Sequence, residues 1–332
     1  MSPPDAGADM TDRTWRVLIP EPVDESGPES IADIVEVVGP DAHPDDAARR
    51  ADIGRFDAVV VRTFEMDRAL IERAERLKVI AKHGAGLDNV DVAAATDHGV
   101  VVCNTPDVNA PSVAEHAVSL ALAVRKRLRV ADADVRAGRW DRTKYVASEL
   151  AGDTLGLFGC GSIGERVAEL AGAFGMDVLV YDPYLTRETA PRDVELVDSS
   201  ADLFDRADVV SVHAPLTDET RGAVGAAELA RLEDGILVNT ARGGIVDEDA
   251  LAAALEAGTV LGAGLDTFES EPPDPESPLF EFENVVATPH VAGSTVEAME
   301  RMSRGAAENV RTVYEGRLPG TTVNADGLEG WG

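Results

Sequence analysis

The chain has 332 residues, 44% of them hydrophobic, enough for two packed domains, and it holds no run of about 18 apolar residues that would span a bilayer. Its 30 basic and 61 acidic residues give a net charge of −31, which repels nucleic acid and anionic membranes, so neither is expected as a partner. The acids are spread along the chain and lysine occurs only at 78, 82, 126 and 144, a balance suited to molar salt, where the Debye length falls to about 3 Å.

A halophilic, cytoplasmic protein is therefore expected. The opening stretch MSPPDAGADMTDRTW lacks the apolar region of a secretion signal and reads as a short disordered lead. Two cysteines, Cys103 and Cys160, offer no disulfide framework and read as apolar fillers. No metal site is expected.

Trp15–Pro20 reads as a first strand, Asp57–Arg62 as a second, Lys78–Lys82 as a third and Val100–Asn104 as a fourth. A helix is expected around Arg68–Leu77, and the third strand ends at the loop His83-Gly84-Ala85-Gly86. Strands alternating with helical or turn segments argue a parallel sheet. A domain boundary is placed near Pro106. Beyond it, Ser112-Val113-Ala114-Glu115 reads as a capping box with Pro111 just before it. The helix it opens is apolar nearly all round from Val113 to Val124, so it is buried or packs against another subunit. His116 on that helix reads as a satisfied core residue.

Thr154–Asp182 is the most specific stretch. A strand passes through Gly159-x-Gly161-x-x-Gly164 into a helix, and a second strand ends in Asp182, 18 residues past the last glycine. In that frame the motif is a dinucleotide site. Gly159 permits the tight turn, Gly161 lets the backbone approach a pyrophosphate, and Gly164 lets the helix pack close to the sheet. The helix N-terminus offers unpaired N–H groups to the phosphates. Asp182 would accept both ribose hydroxyls and repel a 2′-phosphate, so NAD is expected as cofactor. Six strands are expected in this domain, Leu155–Gly159, Val178–Asp182, Val209–His213, Ile236–Thr240, Leu261–Leu265 and Val285–Thr288, making a doubly wound parallel sheet. A last helix is expected from about Thr295 to Glu315.

Ligands bind beyond the carboxyl ends of such strands. Three segments stand there, carrying Arg242, Asp266 with Glu271, and His290. Arg242 offers a planar fork for a carboxylate or carbonyl oxygen. His290 is the side chain whose ordinary pKa lies nearest neutrality, which suits reversible proton transfer. Glu271, if beside His290, would favour the imidazolium. Together with NAD these residues suggest oxidation of a 2-hydroxy acid, with hydride passing to nicotinamide and the hydroxyl proton to a base.

Those motifs resemble the D-isomer-specific 2-hydroxyacid dehydrogenases, most of all the phosphoglycerate dehydrogenase branch. The likeness covers about Val59 to Asn324 and includes Gly84-x-Gly86-x-Asp88-Asn89-Val90-Asp91, Ser112-Val-Ala-Glu115-His116, the nucleotide loop, Asn239-x-x-Arg242-Gly-Gly, the Asp266 to Pro272 segment and Thr288-Pro-His290. The resemblance implies two doubly wound α/β domains, a Rossmann domain (106–295) inserted into a flavodoxin-like substrate domain (1–105 and 296–332). It implies Arg242, Glu271 and His290 as the catalytic set. The loop Gly84, Ala85 and Gly86 would bind the substrate carboxylate through N–H groups, together with Arg242, and domain closure would bring that loop toward Arg242. Ala85, Gly159, Gly161, Ser162, Ile163, Gly164, Asp182, Ala214, Thr220, Thr240, Ala241, Arg242, Asp266, His290 and Gly293 would contact the cofactor, Asp266 at the nicotinamide amide. Arg62 and Lys82 are candidates for a substrate phosphate.

The expected substrate is a small 2-hydroxy or 2-keto acid, 3-phosphoglycerate first, with glyoxylate, hydroxypyruvate or another 2-keto acid as alternatives. A formate dehydrogenase is disfavoured, because that branch has a glutamine beside its histidine. A non-enzymatic NAD-sensing corepressor is the remote alternative, against which the intact Arg242, Glu271 and His290 argue. A homodimer through the NAD-binding domain is expected, and no regulatory extension after the last helix.

Overall fold

The computed structural model describes residues 14–43 and 45–328. Most of the lead read as disordered, residues 1–13, lies outside them. The chain divides into two compact units, one made of the segment ending at Asn109 and the segment starting at Thr295, the other being Ala110–Ser294.

In the first unit strands and helices alternate in chain order: β1 (Trp15–Leu18), α1 (Ser26–Ile31), β2 (Val35–Val38), α2 (Asp46–Ala51), β3 (Ala58–Val61), α3 (Arg68–Arg73), β4 (Val79–Lys82), α4 (Val92–Asp97) and β5 (Val101–Cys103). The strands pair in parallel in the order β2-β1-β3-β4-β5, the flavodoxin-like order. Every residue of β3 is buried, as a strand covered by helices on both faces requires. Asp45, Asp67 and Asp91 cap α2, α3 and α4 by accepting backbone N–H groups of their first turns. The sequence expectation lacked β2. That strand lies at the sheet edge and carries Glu36, whose carboxylate takes the Arg16 guanidinium of β1 at 3.1 Å. Helix α3 also stops at Arg73, earlier than expected, and Leu77 is buried in the turn that leads into β4.

The second unit opens with α5 (Ala110–Arg125) and α6 (Leu128–Arg136). It continues through β6 (Thr154–Phe158), α7 (Ser162–Ala173), β7 (Asp177–Tyr181), β8 (Glu195–Leu196), α8 (Ser200–Arg206), β9 (Val209–Val212), α9 (Ala226–Leu229), β10 (Gly235–Asn239), α10 (Glu248–Ala257), β11 (Val260–Leu265) and β12 (Val285–Ala287). All seven strands are parallel, in the order β12-β11-β10-β9-β6-β7-β8. Counted from β6, this is the Rossmann order extended by one strand. Six strands were expected; β8 has two residues, too short for a hydrophobic period, and exists by pairing with β7.

The capping box also needs correction. Helix α5 starts at Ala110, so Pro111 lies in its first turn, where a missing N–H is tolerated, and Ser112 is inside the helix and buried. The apolar face of α5 (Ala114, Ala117, Leu120, Ala121, Val124) joins Leu155, Leu157, Val167, Val209, Ile236 and Val238 in one core of the unit. A second core on the other sheet face holds Leu203, Phe204, Val210, Leu229 and Leu251, each fully buried and each contributing about 1.5–3 kcal/mol relative to exposure.

Helix α11 (Val296–Tyr314) belongs to the first unit. Thr295 caps it, and Ala306, Ala307, Val310 and Val313 join Val17, Val60 and Val79 of that unit's core. Asn324 then ties the chain to β5, accepting from Val102 N and donating to Val100 O. No helix among the described residues is long and apolar enough to cross a membrane.

Candidate active site

The nucleotide loop is built by close approach. Gly159 has φ +87°, and a Cβ there would lie 2.6 Å from the Ala214 backbone nitrogen, so the turn after β6 accepts glycine alone. Around Gly161 a Cβ would meet nothing within 4 Å, which leaves the backbone open to a ligand. Ser199 and Asp247 cap α8 and α10 with their side chains, whereas α7 starts after Gly161 with no side-chain cap. Its first N–H groups are thus aimed out of the loop. The Asp182 carboxylate is fixed at the end of β7 by the backbone, accepting from Cys160 N and from Tyr184 N, both at 2.9 Å.

A cavity of about 540 Å³ lies here. Of the residues assigned to the cofactor from sequence, Gly159, Gly161, Asp182, Ala214 and Thr220 line it. Ser162, Ile163 and Gly164 form the first turn of α7 outside that lining. Tyr184, Pro215 and Glu219 also line it and were missed, because they come from loops after two different strands, and so does His213, which by its strand-end position in sequence reads as structural. His213 contacts Ser211 Oγ through Nε2 at 2.8 Å, and burial pushes its pKa down to about 4. These features fit a nicotinamide dinucleotide bound by its adenosine half.

The proton-transfer candidates sit at the carboxyl ends of β10, β11 and β12 of the same sheet. His290 Nδ1 lies 2.8 Å from Glu271 Oε2, and Glu271 Oε1 accepts from Phe268 N at 3.2 Å. His290 has φ +51°, a left-handed conformation sparsely populated outside glycine, and its N–H donates to Asp266 O. Asp266 is fully buried, and its carboxylate accepts from Thr288 Oγ1, Val291 N and Ala292 N. In this structure it holds the loop that carries His290. Gly293 follows in that loop, half-buried. Arg242 is half-buried, with Nη1 donating to Ala241 O. Asn239 shapes its loop, accepting from Ala241 N and donating to Arg242 O. Thr240 is buried beside it. Gly243 is obligatory, since a Cβ there would lie 1.8 Å from the Phe268 carbonyl carbon.

In the first unit, Arg62 follows β3, Lys82 ends β4 and Gly84–Gly86 lie in the loop after it. The Gly84 N–H donates to Thr105 Oγ1 at 2.9 Å, so the expected set of N–H donors narrows to Ala85 and Gly86. Lys82 Nζ turns inward to Arg62 O and Asn89 Oδ1, each at 2.5 Å. Arg62 Nη1 donates to Pro22 O at 3.1 Å. Glu21, which the sequence did not single out, accepts the backbone N–H groups of Arg62, Thr63 and Phe64 and so pins that loop.

The family model of the D-isomer specific 2-hydroxyacid dehydrogenase NAD-binding domain matches residues 118–292. The chain belongs to the D-isomer specific 2-hydroxyacid dehydrogenases. The D-3-phosphoglycerate dehydrogenase of Archaeoglobus fulgidus is 42% identical over 281 residues, 84% of this chain and 53% of that protein. The hydroxypyruvate reductase of Thermotoga maritima is 40% identical over 300 residues, 89% of this chain and 97% of that protein. Among solved structures, an NADPH-dependent glyoxylate/hydroxypyruvate reductase from Sinorhizobium meliloti, in complex with NADP and malonate, superposes with a TM-score of 0.82 at 33% identity, over 94% of this chain and 98% of that one. The chain spans between half and three fifths of the phosphoglycerate dehydrogenases from archaea and mycobacteria that it matches (52–59%). The match to the NAD-binding domain falls inside the unit Ala110–Ser294.

Proposed function

We propose that the protein is an NAD-dependent oxidoreductase interconverting a D-2-hydroxy acid and its 2-keto acid, with 3-phosphoglycerate as the leading substrate. The observation that carries this reading is the His290–Glu271 pair at 2.8 Å on the carboxyl edge of a sheet whose Gly159, Gly161 and Asp182 line a cavity of about 540 Å³ suited to a dinucleotide. NAD, held by the residues around Gly159, Gly161 and Asp182, would supply hydride exchange at the substrate carbon. The residues supply the rest. Glu271, as a carboxylate, only accepts, so His290 donates through Nδ1–H and its Nε2 takes the hydroxyl proton in oxidation and returns it in reduction. Arg242 holds the substrate carboxylate and polarises the carbonyl oxygen. On the first unit, the backbone N–H groups of Ala85 and Gly86 and the Arg62 guanidinium are the candidate contacts for anionic groups of the substrate. Asp182 repels a 2′-phosphate, favouring NAD over NADP by at least roughly tenfold, or about 1.4 kcal/mol.

The test is a kinetic panel in high KCl, comparing 3-phosphoglycerate, glycerate, glyoxylate and hydroxypyruvate with NAD(H) and NADP(H). Binding of NADH without turnover of any of these acids overturns the reading. A glyoxylate or hydroxypyruvate reductase is the second reading, favoured by the Thermotoga maritima relative, matched over 97% of its length.

The same reading places the enzyme in the cytoplasm of a cell with high internal salt, as a homodimer. Leu128, Val135, Trp140 and Val146 are 54%, 55%, 77% and 85% exposed in and after α6, an apolar stretch of the NAD-binding domain suited to a second copy. Light scattering checks it: Trp140→Glu is expected to shift the species toward monomer, and a monomeric wild type refutes it.

A further inference from the structure

Thr288 has one hydroxyl proton, and that proton decides the direction of a hydrogen-bond chain reaching α5. Thr288 Oγ1 lies 2.5 Å from Asp266 Oδ1 and 2.9 Å from His116 Nε2. The ionised Asp266 carboxylate only accepts, so Thr288 donates to it and must accept from His116. His116 therefore carries a proton on Nε2. That nitrogen is also 3.6 Å from Asp266 Oδ1. Asp266 is fully buried, and its remaining partners are Val291 N at 2.9 Å and Ala292 N at 2.8 Å. The anchors thus fall on both sides of His290, one at Thr288 and two at Val291 and Ala292. Between them His290 is held at φ +51°, a conformation that costs on the order of 1–3 kcal/mol and persists only when its surroundings over-determine it.

We propose that His116 is a positioning residue for the acid–base pair. Its Nε2–H directs the Thr288 hydroxyl onto Asp266, which fixes the loop 288–292 and keeps His290 Nδ1 at 2.8 Å from Glu271. The proposal rests on the acid–base role of His290 given above. It assigns a function to a side chain that by pattern is one more residue of a buried helix, and it makes α5 part of the machinery that aims the catalytic histidine.

Two variants and one spectrum test it on the full chain. His116→Leu fills similar space without a donor; His116→Gln restores an N–H donor. Leu is expected to lower kcat about tenfold or more with KM for NAD within about twofold, and Gln is expected to recover most of the loss. Equal activity of the two variants, a Leu variant with wild-type kcat, or a loss confined to KM overturns the proposal. Nitrogen-15 NMR of the wild-type imidazoles reads the same point without turnover: His116 is expected to be protonated on Nε2 at neutral pH, and an unprotonated Nε2 overturns it even if the Leu variant fails to fold. Should the wild type reduce no 2-keto acid, the enzymatic reading fails alone, and the spectrum still decides the hydrogen-bond direction.

Discussion

Glu271 and His290 meet across a surface, not in a core. Their side chains are 39% and 47% exposed, and an exposed ion pair contributes about 0–1 kcal/mol to stability. The pair is thus of little use as a strut, while its geometry is what a proton shuttle needs. The His290→Asn variant, chosen because asparagine tolerates a positive φ, is expected to lower turnover by roughly 10²–10⁴-fold. Denaturant midpoint and NADH binding should stay near wild type. Turnover within twofold of wild type would remove His290 from its assigned role. At this scale the sequence showed which residue types stand at strand ends. It did not show their partners, because Glu271 and His290 are 19 residues apart and come together through the ends of two strands.

Elements converge where loops touch. Gly243, after β10, lies against the backbone of Phe268, after β11, and Phe268 N in turn holds Glu271. The loop that carries Arg242 therefore sets the position of the loop that carries Glu271. Gly243→Ala is expected to push the second loop away, lowering kcat while leaving NADH affinity intact, since the cavity at Asp182 lies at other strands. The overpacking should also cost about 1–3 kcal/mol of stability, read from urea denaturation. An alanine variant with normal kcat and stability would show that the loop yields freely. Central strands were legible to within a residue or two because both of their faces are buried and their runs are continuously apolar, as in Val209–Val212. The edge strands β2 and β8 were not, since pairing with a neighbour, rather than composition, makes them strands.

For the whole molecule two global responses follow from charge and burial. A net charge of −31 destabilises the compact state by self-repulsion unless salt screens it. Thermal midpoints should therefore rise from dilute buffer to molar KCl; full stability without salt would refute the salt adaptation. Buried histidines give the second response. His83 is 4% exposed, and burial, with Arg62 and Lys82 adding to it, pushes its pKa down to about 4 from 6.5. The unfolded chain then takes up a proton near pH 6.5 while the folded one does not. The stability owed to neutral His83 is complete above about pH 6.5 and is lost as pH falls toward 4, an effect on the order of 3 kcal/mol. His83→Gln should lose less stability than wild type between pH 7.5 and 4.5 in urea titrations. Parallel losses would exclude His83 as the titrating group.

The dinucleotide loop, the two-domain α/β plan and the polar residues beyond three strands were determined by the sequence itself, because they rest on local rules: glycine spacing, apolar runs and the residue types that follow them. Tertiary structure alone decided which donors are engaged and which face a ligand. Gly84 has the same motif position as its neighbours, yet its N–H goes to Thr105, 21 residues away. His116 reads as core until β12 and its loop bring Thr288 to 2.9 Å from it. A hydrogen bond between distant residues depends on where folding places both ends, and no local pattern in the chain carries that information.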